Sequence, residues 1–287
     1  MVLRNCANLS SEWAFNINYI RKGWDLGLWY LSDGDESPTT FSQETWEDAP
    51  GEMVYIPGGE FITGSNDQGL RVYYDIFGEK AKYQRPIEGV RKVHVKGFYI
   101  NIYEVNNAQY KKFIKATGHS SPSHWENGTY PEGEDNYPVY NVSWYDANKY
   151  AIWTGKRLPT EQEWEKAARG IDGRHYPWGN ESPSLGVNLW PGRGKRGLPQ
   201  PVGSNKNDRS PYGVYDMAGN LMEWTGTEYQ YDNLVRKSRN VETISWGTEV
   251  VVKGSAWSSD LKDTHLARKV FCLPSARVNG VGFRCVK

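Results

Sequence analysis

The sequence has few cysteines, no net charge and no long apolar run, and each of these absences excludes a class of protein. Three cysteines in 287 residues, Cys6, Cys272 and Cys285, are too few for a disulfide framework. The 34 basic and 34 acidic residues balance without long runs of either sign, which argues against nucleic-acid binding. No apolar stretch approaches the roughly 20 residues that span a bilayer, and no signal-peptide segment is visible at the N-terminus. We therefore expect no membrane span and no nucleic-acid partner.

Aromatic residues, glycine and proline are abundant instead. The chain has 13 Trp, 19 Tyr, 30 Gly and 15 Pro. This composition is typical of an irregular, loop-rich domain in which large rings fill the space between short elements. At this length the chain can bury a sizeable core without a disulfide or metal.

The first 50 residues differ in character from the rest. They contain the ring-rich segment GWDLGLWYL (23–31), followed by an acidic and polar run. We interpret residues 1–50 as an aromatic arm and linker and residues 51–287 as the main domain. The arm either packs on its own domain, which we favour, or contacts a partner.

Short strands are predicted near both ends of the main domain. The segment MVYIPGGEFITGS predicts two strands around a Pro-Gly-Gly turn, and Val90–Ile100 alternates as a third strand. EVVVKGSAW and VGFRCVK return to strand character near the C-terminus. Between Tyr176 and Arg239 the chain reads as a long loop region, which buried rings, a bound ion or both must order.

Three helices are predicted from their capping boxes, each worth about 1 kcal/mol. The boxes pair a cap with a partner three residues on: Asn106 with Gln109, Ser143 with Asp146, and Thr160 with Glu163. Gly118 and Gly155 are suited to end the first two helices, and Gly170 follows the third.

These segments carry motifs of a known family. KRLPTEQEWEKAARG, PWGN, YGVYDMAGNLMEWT, KGSAW and GFRC occur in this order. With the upstream strands and first helix, they resemble the sulfatase-modifying-factor, or formylglycine-generating-enzyme-like, family from about residue 51 to 287. The resemblance implies an α+β fold of the C-type-lectin type, with little regular secondary structure, a few short helices and strands, and long ordered loops.

The chain departs from the family pattern at the catalytic thiols. In the family, the enzyme oxidises a substrate cysteine to formylglycine with two copper-binding cysteines placed shortly after a GGSW-like motif. Aligned on Trp257, those positions fall at about Ser259 and Thr264, whose hydroxyls cannot replace soft thiolates. We therefore do not expect copper. The short connection between Gly118 and Pro138 also resembles relatives that are not formylglycine generators.

These departures favour a pseudoenzyme, an accessory subunit that binds a ligand or protein partner at the lectin-like groove. One alternative is an oxidoreductase or maturation enzyme with a metal site that lacks thiols. The other is formylglycine generation through Cys272 or Cys285. By the resemblance, the candidate groove residues follow the GSAW motif, where a solvated loop is the alternative. They are Trp257, Ser258, Ser259, Asp260, Lys262, His265 and Arg268.

The resemblance also implies a calcium site in the DMAGNLMEW loop. Its ligands would be the side chains of Asp216 and Glu223 and the carbonyls of Gly219 and Leu221, an all-oxygen set suited to a hard cation. A loop held by hydrogen bonds alone is the alternative. A second family site would use Asn188 and Leu189, but the basic residues Lys195 and Arg196 stand where its other ligands are expected. We expect one calcium.

The histidines and the late cysteines leave further alternatives. His119, His124 and Glu126 could contribute to an iron or copper site, although we favour structural histidines. Cys272 and Cys285 are either a disulfide or two buried thiols, of which we favour the second. The resemblance favours a periplasmic or secreted location.

Overall fold

The computed structural model describes residues 53–67, 71–74, 84–181, 187–189, 197–229, 249–260 and 264–287. The predicted arm, residues 1–50, lies outside these ranges, so the predicted domain boundary stays a prediction. Among the described helices, none has both the length and the apolar character needed to cross a bilayer.

All three predicted helices form, and all three capping boxes are present. The helices are α1 (Asn107–Thr117), α2 (Trp144–Trp153) and α3 (Glu161–Arg169). In each box the cap side chain accepts from the backbone of the third helical residue, whose side chain accepts in turn from the cap. Gly118 ends α1 in the left-handed conformation with φ 69°, as the sequence predicts.

Two small antiparallel sheets form from the first strands of the domain. β1 (Met53–Ile56) pairs with β6 (Phe98–Asn101), and β2 (Gly59–Thr63) pairs with β5 (Arg91–Val95). The two strands predicted around the Pro-Gly-Gly turn are therefore confirmed, but they pair with later strands and not with each other.

The prediction of one continuous strand over Val90–Ile100 is wrong, because this segment is divided between β5 and β6 at Lys96 and Gly97. At the division the chain passes close to the turn between β1 and β2. A Cβ atom on Gly58 would lie 2.9 Å from the backbone nitrogen of Gly97. This close approach separates the two pairs of strands.

The main sheet has six strands in the order β10–β7–β8–β9–β3–β4. They are β3 (Arg71–Tyr74), β4 (Gln84–Pro86), β7 (Met222–Tyr229), β8 (Glu249–Gly254), β9 (Lys269–Cys272) and β10 (Val281–Gly282). β8 runs antiparallel to both of its neighbours, β7 and β9, whereas β10 runs parallel to β7. The prediction of a long loop region over Tyr176–Arg239 is wrong for residues 222–229, because β7 forms there.

The helices and the main sheet enclose a core rich in aromatic rings. Tyr110 of α1 stacks on Tyr150 of α2 with centroids 5.8 Å apart, and Phe283 contacts both rings edge-on. Cys272 and Cys285 lie buried as thiols in the same apolar cluster, and no disulfide joins them. The mixed α+β fold is thus the one that the sequence predicts.

Candidate functional site

The loop that carries the predicted calcium ligands turns sharply at two polar residues. Asp216 and Asn220 have φ angles of 58° and 66°, in the left-handed region that Asp and Asn tolerate better than most residues. Gly219, between them, does not have a positive φ angle. A Cβ atom on Gly219 would lie 2.8 Å from the carbonyl oxygen of Asn188, so glycine is required there by close contact.

The residues predicted for a second cation site contact this same loop. The Asn188 carbonyl accepts from the backbone N–H of Asn220, and the Asn188 side-chain amide donates to Asn220 Oδ1 and to the Leu198 carbonyl. The Leu189 N–H donates to Val187. Lys195 and Arg196 lie outside the described residues. The two segments that we treated as separate sites are therefore neighbours.

Asp216, a predicted ligand, has one carboxylate oxygen that is not engaged in a close hydrogen bond. Its side chain is buried, and Oδ2 accepts from the backbone N–H of Gly203. Oδ1 is also buried and forms no close hydrogen bond; the Asn205 side-chain amide, itself without a close partner, lies near Asp216 and acts to lower its pKa. A buried carboxylate oxygen that lacks a donor is costly, and a hard cation would satisfy it.

Glu223, the other predicted carboxylate ligand, is already engaged. Both of its oxygens accept from the Arg284 guanidinium at 2.7–3.0 Å, and Oε2 also accepts from Trp164 Nε1 at 2.9 Å. Glu223 and Arg284 are both fully buried. A direct bond from Glu223 to calcium would therefore require Arg284 to withdraw.

Two carboxylates that the sequence analysis missed hold the loop from outside. Asp208 accepts from the backbone N–H groups of Met217 and Ala218. Glu104 accepts from the backbone N–H of Leu221 at 3.1 Å and from the Asn220 side-chain amide at 2.7 Å. Glu104, Asp208 and Asp216 are all buried. Arg284 stands inside the GFRC motif, and this charged residue in an otherwise strand-like segment was an available signal for a buried carboxylate partner.

The crowding of these acids changes their titration. Burial and the neighbouring Asp216 carboxylate raise the pKa of Asp208 to about 7. Burial raises the pKa of Asp216 to about 6, and burial and Asp216 raise the pKa of Glu104 well above its usual value. Each shift reflects the expense of a buried negative charge beside another.

The predicted groove residues are divided between surface and interior. Ser258 is exposed, and Ser259, Asp260 and Arg268 are half-buried. Ser259 forms a tight turn, since its N–H donates to the Ala256 carbonyl and its Oγ accepts from the Ala256 N–H. Lys262 lies outside the described residues. Apart from Arg268, the described polar residues of this set that remain accessible belong to a short turn after Trp257.

Trp257 is buried at the base of a column of rings. Its ring contacts Tyr140 edge-on at 5.0 Å, and Tyr140 stacks on His124 at 4.0 Å. Gly280 packs close to Trp257, because a Cβ atom there would lie 3.8 Å from the indole ring. Trp257 thus shapes the floor beneath the Ser258–Asp260 turn.

His265 does not belong to the exposed part of the predicted groove, which is a correction. Its side chain is only 6% exposed and Nδ1 accepts from the Ala267 N–H at 3.1 Å. Its ring faces His175, with centroids 4.7 Å apart. Burial, with His175, Arg169 and Lys253, lowers the pKa of His265 to about 4.

We predict that His265 makes the domain sensitive to mild acid. The unfolded chain takes up a proton below pH 6.5, whereas native His265 stays neutral to about pH 4. Stability is therefore full above pH 6.5 and falls as the pH drops through this window, by up to about 3 kcal/mol. His265→Asn retains an acceptor near Nδ1. Between pH 4 and 6.5 its free energy of unfolding, measured by thermal melts, should fall less steeply with decreasing pH, by an amount equivalent to one fewer proton taken up on unfolding.

His124 provides the internal comparison for this prediction. Burial lowers its pKa to about 4 as well, and its contribution remains in the His265→Asn variant. The variant should therefore keep part of the acid sensitivity. An unchanged slope in His265→Asn would contradict the assignment.

His119 and His124 have separate surroundings. His119 Nε2 lies 2.8 Å from Asp146 Oδ1, and Arg277 contacts the other oxygen of Asp146. His124 stacks on Tyr140. Across the parts of the chain that the structure describes, no three His, Cys, Asp or Glu side chains converge in a metal-binding arrangement. Nothing in these contacts favours the histidine-based metal site.

Comparisons with known proteins agree with the motifs. The family model of the sulfatase-modifying factor enzyme 1-like domain matches residues 38–287. The formylglycine-generating enzyme of Thermomonospora curvata is 33% identical over 294 residues, covering 81% of this chain and 92% of the relative. The inactive C-alpha-formylglycine-generating enzyme 2 of Bos taurus is 31% identical over 287 residues, covering 81% and 87%.

A solved structure supports the fold. PvdO from Pseudomonas aeruginosa superimposes with a TM-score of 0.58 at 24% identity, covering 82% of this chain and 93% of PvdO. Together with the family match over most of the sequence, the motif order and the α+β fold lead to one conclusion. The chain belongs to the sulfatase-modifying factor family of formylglycine-generating-enzyme-like proteins.

Proposed function

We propose that this chain is a non-catalytic member of its family, a binding or assembly subunit that uses the face around Trp257. The observation that carries the proposal is that hydroxyl side chains, and not thiols, follow Trp257 at the two positions concerned. Ser259 and Thr264 stand where the resemblance places the enzyme's two thiols, and a hydroxyl is a poor ligand for cuprous copper. Ser259 is instead used in a turn, and Thr264 is buried.

The positions of the described cysteines support the same proposal. Cys272 of β9 pairs with Val250 of β8. The segment that contains Ser259 follows β8 at the opposite end of this strand pair, where Lys253 pairs with Lys269. At about 3.3 Å per residue, Cys272 lies roughly 10 Å along the strand from that end. Cys285 is fully buried beside Asn101. Neither thiol is placed to replace Ser259 or Thr264 without a rearrangement.

Sequence identity to the relatives does not decide between an active enzyme and an inactive protein. The enzyme of Thermomonospora curvata and the inactive protein of Bos taurus are nearly equally similar to this chain, at 33% and 31%. The proposal therefore depends on the thiol positions and not on overall similarity.

We predict that the purified chain will not convert cysteine to formylglycine. The test incubates it aerobically with copper and a cysteine-containing sulfatase peptide, with the Thermomonospora curvata enzyme as positive control. Aldehyde is detected by mass spectrometry after capture with an aminooxy probe, and none above background is expected. Aldehyde formation by the wild type that disappears in Cys272→Ser would refute the proposal and identify the thiol responsible.

We also propose that the 216–223 loop binds one calcium ion, which stabilises the loop and adds no redox chemistry. The unsatisfied Asp216 Oδ1 and the surrounding carboxylates support it. Asp216 and the carbonyls of Gly219 and Leu221 would hold the ion, with Glu223 held back by Arg284. Such a site suits the extracytoplasmic location that we propose, since modules outside the cytosol commonly use weak calcium sites.

A further inference from the structure

Four buried acids from separate segments meet around the 216–223 loop. They are Glu104, Asp208, Asp216 and Glu223, each no more than 2% exposed. Arg284 is ion-paired with Glu223, and the other three acids form no ion pair with any described residue. The Arg284 charge also acts at longer range on Glu104, Asp208 and Asp216, so a single guanidinium faces four acids, and buried charges of one sign are costly. The arrangement therefore has a deficit of positive charge.

The deficit of positive charge is greatest beside Glu104 and Asp216. The two oxygens of Asp208 are directed at the Met217 and Ala218 amides, so Asp208 positions the loop. Glu104 accepts from the Leu221 N–H with Oε1 and from the Asn220 amide with Oε2. Since a carboxylate oxygen can accept twice, each oxygen of Glu104 retains acceptor capacity.

Glu104 also borders a small polar cavity. The cavity is lined by Glu104 together with Tyr103, Asn101, Lys156 and Val202. Val202 precedes Gly203, whose N–H donates to Asp216 Oδ2. The cavity therefore lies next to the segment that holds Asp216, and its polar lining has room for the hydration waters of a cation.

We propose that Glu104, which the family resemblance does not include among the ligands, supplies the second carboxylate of the cation site in place of Glu223. The inference rests on the proposed calcium site. Glu104 holds the Leu221 backbone through a hydrogen bond. It also supplies the negative charge that Glu223, which is paired with Arg284, cannot offer to the cation. The calcium ion thereby joins the segment after β6 to the 216–223 loop.

The test compares wild-type protein with Glu104→Gln by isothermal titration with calcium chloride. Glutamine keeps an acceptor for the Leu221 N–H but removes the charge. We expect at least a tenfold weaker calcium affinity, with Asp216→Asn weaker still. The matched control is Glu132→Gln, the same change at an exposed position, which should bind calcium as the wild type does.

Thermal melts in EDTA and in calcium separate a charge role from a packing role. If Glu104 binds the cation, Glu104→Gln should gain less thermal stability from calcium than the wild type does. Its calcium-free melting temperature combines relieved repulsion with the loss of the acceptor for the Asn220 amide, so the gain from calcium is the diagnostic quantity. Wild-type calcium affinity in Glu104→Gln would overturn the inference and leave the calcium site standing. No calcium binding by the wild type would overturn both.

A second variant covers the case in which Glu104→Gln does not fold. Glu104→Asp keeps the charge but shortens the side chain by one methylene. Its calcium affinity should fall less than tenfold if charge is what the site requires. A loss as large as that of Asp216→Asn would contradict this account.

Discussion

Arg284→Met is expected to lower the free energy of unfolding by about 3–5 kcal/mol, the range for removing one partner of a buried ion pair. The guanidinium is fully buried, bonds both oxygens of Glu223, and donates to the carbonyls of Ile102 and Tyr215. Without it, Glu223 is left as a fourth unpaired acid near Glu104. Denaturant titration followed by fluorescence measures the change.

A double variant separates the charge from the packing. Glu223→Gln in the Arg284→Met background removes the stranded carboxylate and should restore part of the lost stability. If Arg284→Met costs less than about 1 kcal/mol, or if the second substitution lowers stability further, the buried pair is not what holds this region together.

Glu165→Ala is expected to destabilise the domain by a similar amount, about 3–5 kcal/mol. Glu165 is buried in α3 and contacts Lys253 at 3.0 Å and Arg169 at 2.7 Å. It also accepts from the side chain of Thr63 and the backbone of Gly64. Although burial alone would raise its pKa, Lys253 and Arg169 hold the pKa of Glu165 at about 2.

The comparison for this prediction is an exposed ion pair. Asp172 contacts Arg174 at 2.7 Å, but its side chain is 53% exposed. Asp172→Ala should change the free energy of unfolding by no more than about 1 kcal/mol, because exposed pairs contribute little. Equal effects of the two substitutions would mean that burial does not set the strength of the Glu165 contacts.

The helices were predictable because their signals are local. Each capping box needs only a cap and a partner three residues away, and both lie within the segment that folds. The capping box of Asn106 and Gln109, for example, can be recognised from four consecutive residues of the sequence. The buried face of α1 is also local in origin, since Tyr110 and Phe113 lie three residues apart on one side of the helix and are both buried.

The strand pairing was not predictable because its cause is distant in sequence. The division of Val90–Ile100 depends on Gly58 approaching Gly97, and β7 is recognised by its partners β8 and β10. β7 also buries polar residues, Glu223 and Thr225, where an apolar pattern would be expected. A search for alternating apolar residues therefore passes over it.

The candidate site was predictable only in part. The resemblance identified Asp216 and its loop, but not Glu104 or Asp208, which reach the loop from other segments. The commitment of Glu223 to Arg284 depends on the parallel pairing of β10 with β7, a contact between residues about sixty positions apart. Burial of His265 likewise depends on His175, far from it in the chain.

The backbone contacts of residues 281–287 affect how the domain can fold during synthesis. Tyr99 and Lys287 exchange two backbone hydrogen bonds, and Val286 does the same with Arg157. β6 can pair with β1 as soon as both have been synthesised, but its contact with Lys287 must wait until almost two hundred further residues have left the ribosome. Such long-range closure slows folding and leaves apolar surface exposed meanwhile. The backbone contacts that join β6 and Arg157 to the last strand-like segment can therefore form only late in synthesis.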